Sequence, residues 1–226
     1  MLFYDPTFLL LIPAIVLAIY ANMKVKSAYA EMSRVRSSKG YTGADMARSI
    51  LNGGGLNDVK VEQIPGELTD HYDPRSKILR LSSGVYSSLS IAATGIVAHE
   101  VGHALQDAKA YAPLKIRNNF VPVASFGSGL AFPLFFIGLI FANPLLMDLG
   151  IIAFSLAVAF HIITLPVEFD ASSRAVKLLT QGGYVTEEEV IKVKKVLTAA
   201  ALTYVAATAM AVLNLLRLLI LRGRRN

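Results

Sequence analysis

Two histidines stand four residues apart around a glutamate, in His99-Glu100-Val101-Gly102-His103. On an α-helix, positions i and i+4 lie one above the other, so both imidazoles reach a single cation. Glu100 is turned about 100° from His99 around such a helix. Its carboxylate therefore sits beside the cation and the water next to it, where a general base is needed. The flanks, Gly95-Ile96-Val97-Ala98 and Ala104-Leu105, carry no charge. Two histidines and a glutamate buried in an apolar helix are costly without a partner, and half of the chain's four histidines fall in this pattern. The pattern predicts one bound Zn2+, with His99 and His103 as ligands.

Catalytic zinc takes three protein ligands and leaves one position open. Asp107 lies a turn beyond His103 on the same helix and cannot converge on an ion held by earlier turns. His71, just before the turn at Asp73-Pro74, is an option. His161 lies inside an apolar run and is expected to bond within a helix bundle. Glu168 stands where that run ends, in Leu165-Pro166-Val167-Glu168-Phe169-Asp170-Ala171-Ser172. It is preferred over Asp170, whose side chain faces roughly the opposite way on a helix. Pro166 suits the start of a new helical segment, and a kink in a continuing helix fits as well.

The elements that must position these residues read as α, then β, then α. Thr42-Gly43-Ala44-Asp45 resembles a capping box, with a helix over 44–51 stopped by Gly53-Gly54-Gly55. Residues 59–64 alternate like a strand and end at Pro65-Gly66. After a turn at Asp73-Pro74-Arg75-Ser76, residues 77–82 alternate again, Leu79 and Leu81 on one face and Ile78 and Arg80 on the other. That second strand is either an ordinary sheet member or one whose free edge takes an extended substrate. Ser88 or Ser90 then caps the helix carrying the histidines, over 91–110.

The rest of the chain is too apolar for a water-soluble domain. Of 226 residues, 54% are hydrophobic and 17% charged, with a mean hydropathy of +0.52; ordinary globular domains are about 25% charged. Residues 6–23, 118–147, 149–167 and 196–216 approach or exceed the roughly 20 apolar residues that cross a bilayer. The first is expected to be a retained anchor. Ala28-Tyr29-Ala30 mimics a cleavage site, but Asp5 and no Lys or Arg precede the apolar run. No cysteine is present, which excludes a disulfide scaffold, cysteine-ligated zinc and a thiol nucleophile.

Thirteen Lys or Arg lie between the first two apolar runs and five in residues 168–195, against none in the turn at 143–148. Basic residues favour the cytoplasmic side, so residues 24–117 and 168–195 are expected there together, in the inner membrane of the cell. The net charge of +6 is read the same way, and no nucleic-acid motif accompanies it. The last run meets Arg217, Arg222, Arg224 and Arg225; a full crossing leaves these on the outer side, against the rule, yet its 21 uncharged residues favour crossing. The expected fold is mainly α: a polytopic helical membrane protein of about four spans with a small α+β, zincin-like cytosolic lobe. Its divisions are an anchor at 1–23, the lobe at 24–117, a transmembrane hairpin at 118–167, a helical segment at 168–195, and a membrane helix with a basic tail at 196–226.

These residues resemble the YugP-like neutral zinc metallopeptidases of bacteria and, more distantly, the HtpX-type and CAAX prenyl membrane proteases. The resemblance runs through the anchor, Leu68-Thr69-Asp70-His71-Tyr72-Asp73-Pro74, Leu79-Arg80-Leu81-Ser82, the histidine pair and Pro166-Val167-Glu168-Phe169-Asp170-Ala171-Ser172. It implies a zinc metallopeptidase with a gluzincin-type third ligand: His99, His103 and Glu168 on zinc, Glu100 as base. HtpX-type enzymes carry an aspartate four residues after the glutamate ligand, where it orients a zinc histidine; here that place is Ser172. Ser172, Asp170 or a backbone carbonyl is left to fix the ring.

The expected activity is hydrolysis of peptide bonds at the membrane, on peptides or membrane proteins, with Tyr72, His71 or Arg174 as donors to the developing oxyanion. The competing class is a zinc-binding membrane scaffold or regulatory subunit without turnover. A transporter has thin support, since His161 and Arg217 alone bring ionisable groups to the spans. Gly127-Ser128-Gly129 and the alanine-rich last run suit helix contacts, either within one chain or with a second copy or partner membrane protein.

Overall fold

The computed structural model describes residues 6–224; Asp5 and Arg225, both used above, lie outside them. A 3-10 turn, Pro6–Leu11, leads into α1 (Ile12–Met32). Then follow α2 (Gly43–Gly53), β1 (Lys60–Ile64), β2 (His71–Asp73), β3 (Ile78–Ser82), the short α3 (Ser83–Tyr86) and α4 (Ile91–Ala108). Three long helices complete the chain: α5 (Ala112–Ile140), α6 (Pro144–Gln181) and α7 (Glu187–Gly223). Four helical stretches are long and apolar enough to cross a membrane: Pro6–Met32, Ala112–Ile140, Pro144–Gln181 and Glu187–Gly223. Pro166 lies inside α6, so the chain continues helically through it rather than starting afresh.

The chain divides into two compact units. The first combines residues up to 22 with 115–166 and from 202 onward. Its core is Ala131 and Phe135 of α5, Met147, Ile151, Phe154 and Val158 of α6, and Ala211 and Leu218 of α7. Large apolar side chains stay exposed around it, such as Phe126 at 72% and Ile152 at 61%, as lipid-facing positions require. A Cβ on Gly150 would lie 2.7 Å from the Phe135 nitrogen, and one on Gly127 2.7 Å from the Ala153 oxygen. Both glycines thus bring α5 and α6 backbone to backbone, the usual use of small residues in membrane helices. Gly127 is spent on packing within the chain, whereas Gly129 meets nothing within 4 Å. Near the end of α7, Arg222 donates to both carboxylate oxygens of Asp148, at 2.8 and 3.2 Å, at the start of α6. Arg217 donates to Thr7 at 3.3 Å. The end of α7 therefore lies beside the start of α6, as for a helix that runs the full length of the bundle.

The second unit, residues 23–114 and 167–201, holds the sheet and α4. Ser90 caps α4, accepting from the Ala93 amide at 3.2 Å, and is itself held by Ser88 at 2.9 Å. Thr42 caps α2 by accepting from the Asp45 amide. The sheet order is β1-β3-β2, with β1 parallel and β2 antiparallel to β3. The strand expected over 77–82 is therefore central: β1 pairs with all of Ile78–Ser82 and β2 with Ile78–Arg80, and the Ser82 amide beyond donates to Asp70 at 2.7 Å, so it is an ordinary inner strand. β2 was not anticipated, because three residues are too few for alternation to show. Leu79 and Leu81 are wholly buried. They pack with Met46, Leu51, Val85, Ile91, Val97 and Val101, together with Ala175 and Leu179 of α6 and Val193 of α7.

Candidate metal centre

α4 is apolar on almost every side, and Ala98, Val101 and Ala104 are buried. Its one-turn spacing brings the two imidazole rings together, centroids 4.8 Å apart and nearly perpendicular. From α6, Val167, Ala171 and Ala175 are all fully buried, which fixes the rotation of this helix within the unit. That rotation turns Glu168, 3% exposed, toward α4. Its Oε2 lies 3.2 Å from His99 Nε2 and 3.6 Å from His103 Nε2. One ligand atom from each of His99, His103 and Glu168 falls within 4.8 Å of the others. Two imidazole nitrogens and a carboxylate oxygen are the donor set of a zinc site that keeps a position open, so the residues fit the ion.

The approach of α4 to α6 depends on Gly102. A Cβ there would lie 2.7 Å from the Ala171 carbonyl oxygen, inside contact distance. The glycine between the histidines thus lets the helices that carry the histidines and Glu168 close up.

Both rings are held from behind. Ser172 Oγ lies 3.1 Å from His99 Nδ1, so of the three groups left to fix a ring it is the one beside His99. His103 Nδ1 lies 3.0 Å from Gln106 Oε1. Gln106 is wholly buried, and its amide nitrogen donates to the Val167 carbonyl and to Asp170, both at 2.8 Å. Sequence reasoning passed over Gln106, although a polar residue in the buried face one turn after His103 was a signal. Asp170 also accepts from Arg174, whose guanidinium lies over the Tyr111 ring.

Glu100 is not in the metal-binding group. Its Oε2 accepts from the Tyr72 amide at 3.1 Å, so β2 lies against it. Burial raises its pKa, partly opposed by His103 and His99. For His103 burial works against the charged ring, but Glu168 and Glu100 outweigh it and raise the pKa. The remaining candidates are placed elsewhere. Asp107 accepts from the Tyr72 hydroxyl at 3.0 Å. His71 is exposed, with Nδ1 2.9 Å from the Thr69 carbonyl. His161 belongs to the other unit, where it lines a cleft with Ser125, Ser128 and Phe160. Of the three expected oxyanion donors, the Tyr72 hydroxyl and Arg174 already have carboxylate partners.

Residues 7–223 match a family model described as "Putative neutral zinc metallopeptidase". The chain is 48% identical over 217 residues to a Bacillus subtilis (strain 168) protein named "Putative membrane protease YugP", covering 95% of this chain and 96% of that one. No solved structure matches it.

Proposed function

The chain belongs to this neutral zinc metallopeptidase family, and we propose that it is a membrane-bound endopeptidase in which His99, His103 and Glu168 hold one zinc ion and Glu100 is the general base. The convergence of the three donor atoms, with Glu100 on the next position of the same helix, carries the reading. The name of the Bacillus relative supports it.

Zinc, when bound, supplies Lewis-acid polarisation of a peptide carbonyl and lowers the pKa of water. The chain's residues do the rest. Glu100 takes the proton of the attacking water as the new C–O bond forms and then passes it to the leaving amine nitrogen, whereupon the peptide C–N bond breaks. Burial raises its pKa above the ordinary carboxylate value. One of its oxygens is oriented by the Tyr72 amide. Because β3 lies inside the sheet, the strand edge next to Glu100 is that of β2, and a substrate strand laid along it takes the Tyr72 amide over from Glu100. The lobe faces the cytoplasm, as its basic residues favour, and the substrate is a peptide or membrane protein at the inner leaflet.

The test is proteolysis of an unfolded protein substrate by the purified full-length chain in detergent. Cleavage that stops with a chelator and returns with zinc is expected. A folded, zinc-loaded chain without cleavage would instead favour the scaffold reading.

A further inference from the structure

We propose that Gln106 is the positioning residue of the metal centre: clamped by Asp170 and the Val167 carbonyl, its amide dictates which nitrogen of His103 faces the ion. The inference rests on the reading of His99, His103 and Glu168 as zinc ligands.

A primary amide has a donor end and an acceptor end, and here the surroundings decide which points where. The Val167 carbonyl and the Asp170 carboxylate accept but do not donate, and both lie 2.8 Å from the amide nitrogen. Turning the amide over would set its oxygen against these two oxygens, in a place where Gln106 has no access to water. That arrangement leaves two buried acceptors facing a third, with the desolvation cost of unmade hydrogen bonds. Arg174, donating to the same Asp170 oxygen, keeps that carboxylate ionised and in place. The carbonyl end is therefore fixed toward His103 Nδ1 at 3.0 Å. A carbonyl oxygen only accepts, so Nδ1 must carry the hydrogen. The lone pair then sits on Nε2, the nitrogen turned toward Glu168.

The chain Arg174–Asp170–Gln106–His103 does the work of the direct carboxylate–histidine pair common at zinc sites, with a neutral amide interposed. His99 is treated differently. Ser172 offers a hydroxyl, which either donates or accepts, so it supports that ring without dictating its tautomer. One ligand is locked before the ion arrives and the other adapts to it.

The experiment uses the full-length chain in detergent, with histidine labelled with 15N, the metal removed and the pH high enough for neutral imidazoles. Long-range proton–nitrogen correlations, assigned by their loss in His103→Asn, should show His103 protonated on Nδ1. In Gln106→Met, similar in length but unable to hydrogen-bond His103, the Nε2-protonated form should appear. Zinc affinity, from competition with a chromogenic chelator, should fall about 10–100-fold in Gln106→Met. An Nε2-protonated His103 in the wild type overturns the proposal even if Gln106→Met does not fold. Tight zinc binding by wild type and Gln106→Met alike overturns the role of Gln106 alone. A folded wild type without zinc affinity removes the ligand assignment beneath it.

Discussion

At the scale of single residues, the chemistry lies in how few groups converge and how each is kept in its role. In the proposed site Glu168 is the third donor, turned toward the histidines because the buried stripe Val167, Ala171 and Ala175 fixes the rotation of α6. Replacing it with alanine should leave two imidazoles, too few for tight zinc, and metal analysis of purified Glu168→Ala should find the ion lost. If it stays near one per chain, the third ligand lies elsewhere, with His71 the next residue to test. Ser172→Ala should lower zinc affinity less than Gln106→Met, since a hydroxyl gives no fixed polarity to lose; chelator competition on both variants compares them. The histidine pair was legible in the sequence because its spacing is local and specific; Glu168, 69 positions from His99, was singled out by its place at the end of an apolar run and by the family resemblance. Gln106 was not, since its partners Val167 and Asp170 lie 61 and 64 positions away.

At the scale of elements, two close approaches set the site. Gly102 allows α4 and α6 to meet, so Gly102→Ala must push Ala171 aside and carry Glu168 with it. Such overpacking costs typically about 1–3 kcal/mol, and both the thermal stability of the metal-free chain and its zinc affinity should fall. A variant that melts and binds zinc like the wild type would show that the helices tolerate the extra carbon. The second approach is that of β2 to Glu100, held by the turn at Asp73. Hydrogen bonds from Ser76 and from the Arg75 amide, with Arg80 adding to them, lower the Asp73 pKa from its ordinary 3.8 to about 2. A depressed carboxylate pKa stabilises the fold above the unfolded value and ceases to do so as pH falls through the folded one. Between pH 3.8 and about 2 the turn should therefore loosen. Hydrogen exchange of the β2 and β3 amides against pH should show it, and Asp73→Asn should remove that part of the dependence. Capping by Ser90 and alternation in β3 were readable from local sequence. The strand order was not, because β3 pairs with β1 across 18 positions, Lys60 with Ile78, and nothing within either strand fixes that neighbour.

At the scale of the whole molecule, composition already required a membrane protein, and four long apolar helices agree with that demand. Orientation is carried by charge. The basic residues of 24–117 and 168–195 favour the cytoplasm, and the arginines at the end of α7 oppose the rule. The Arg222–Asp148 pair offsets part of that opposition, since one of these charges has a carboxylate beside it. With no cysteine in the natural chain, single-cysteine variants report topology cleanly. Lys39→Cys should be shielded from a membrane-impermeant thiol reagent in intact cells and Leu145→Cys labelled; the reverse pattern would invert the orientation. Whatever the orientation, one zinc ion and Glu100 together are expected to cleave peptide bonds. The most direct test is zinc content measured with peptide turnover on purified full-length Glu100→Gln. One zinc per chain is expected, as in the wild type, with turnover reduced by about 10²–10⁴-fold; zinc retained with turnover undiminished would remove Glu100 from the role of base.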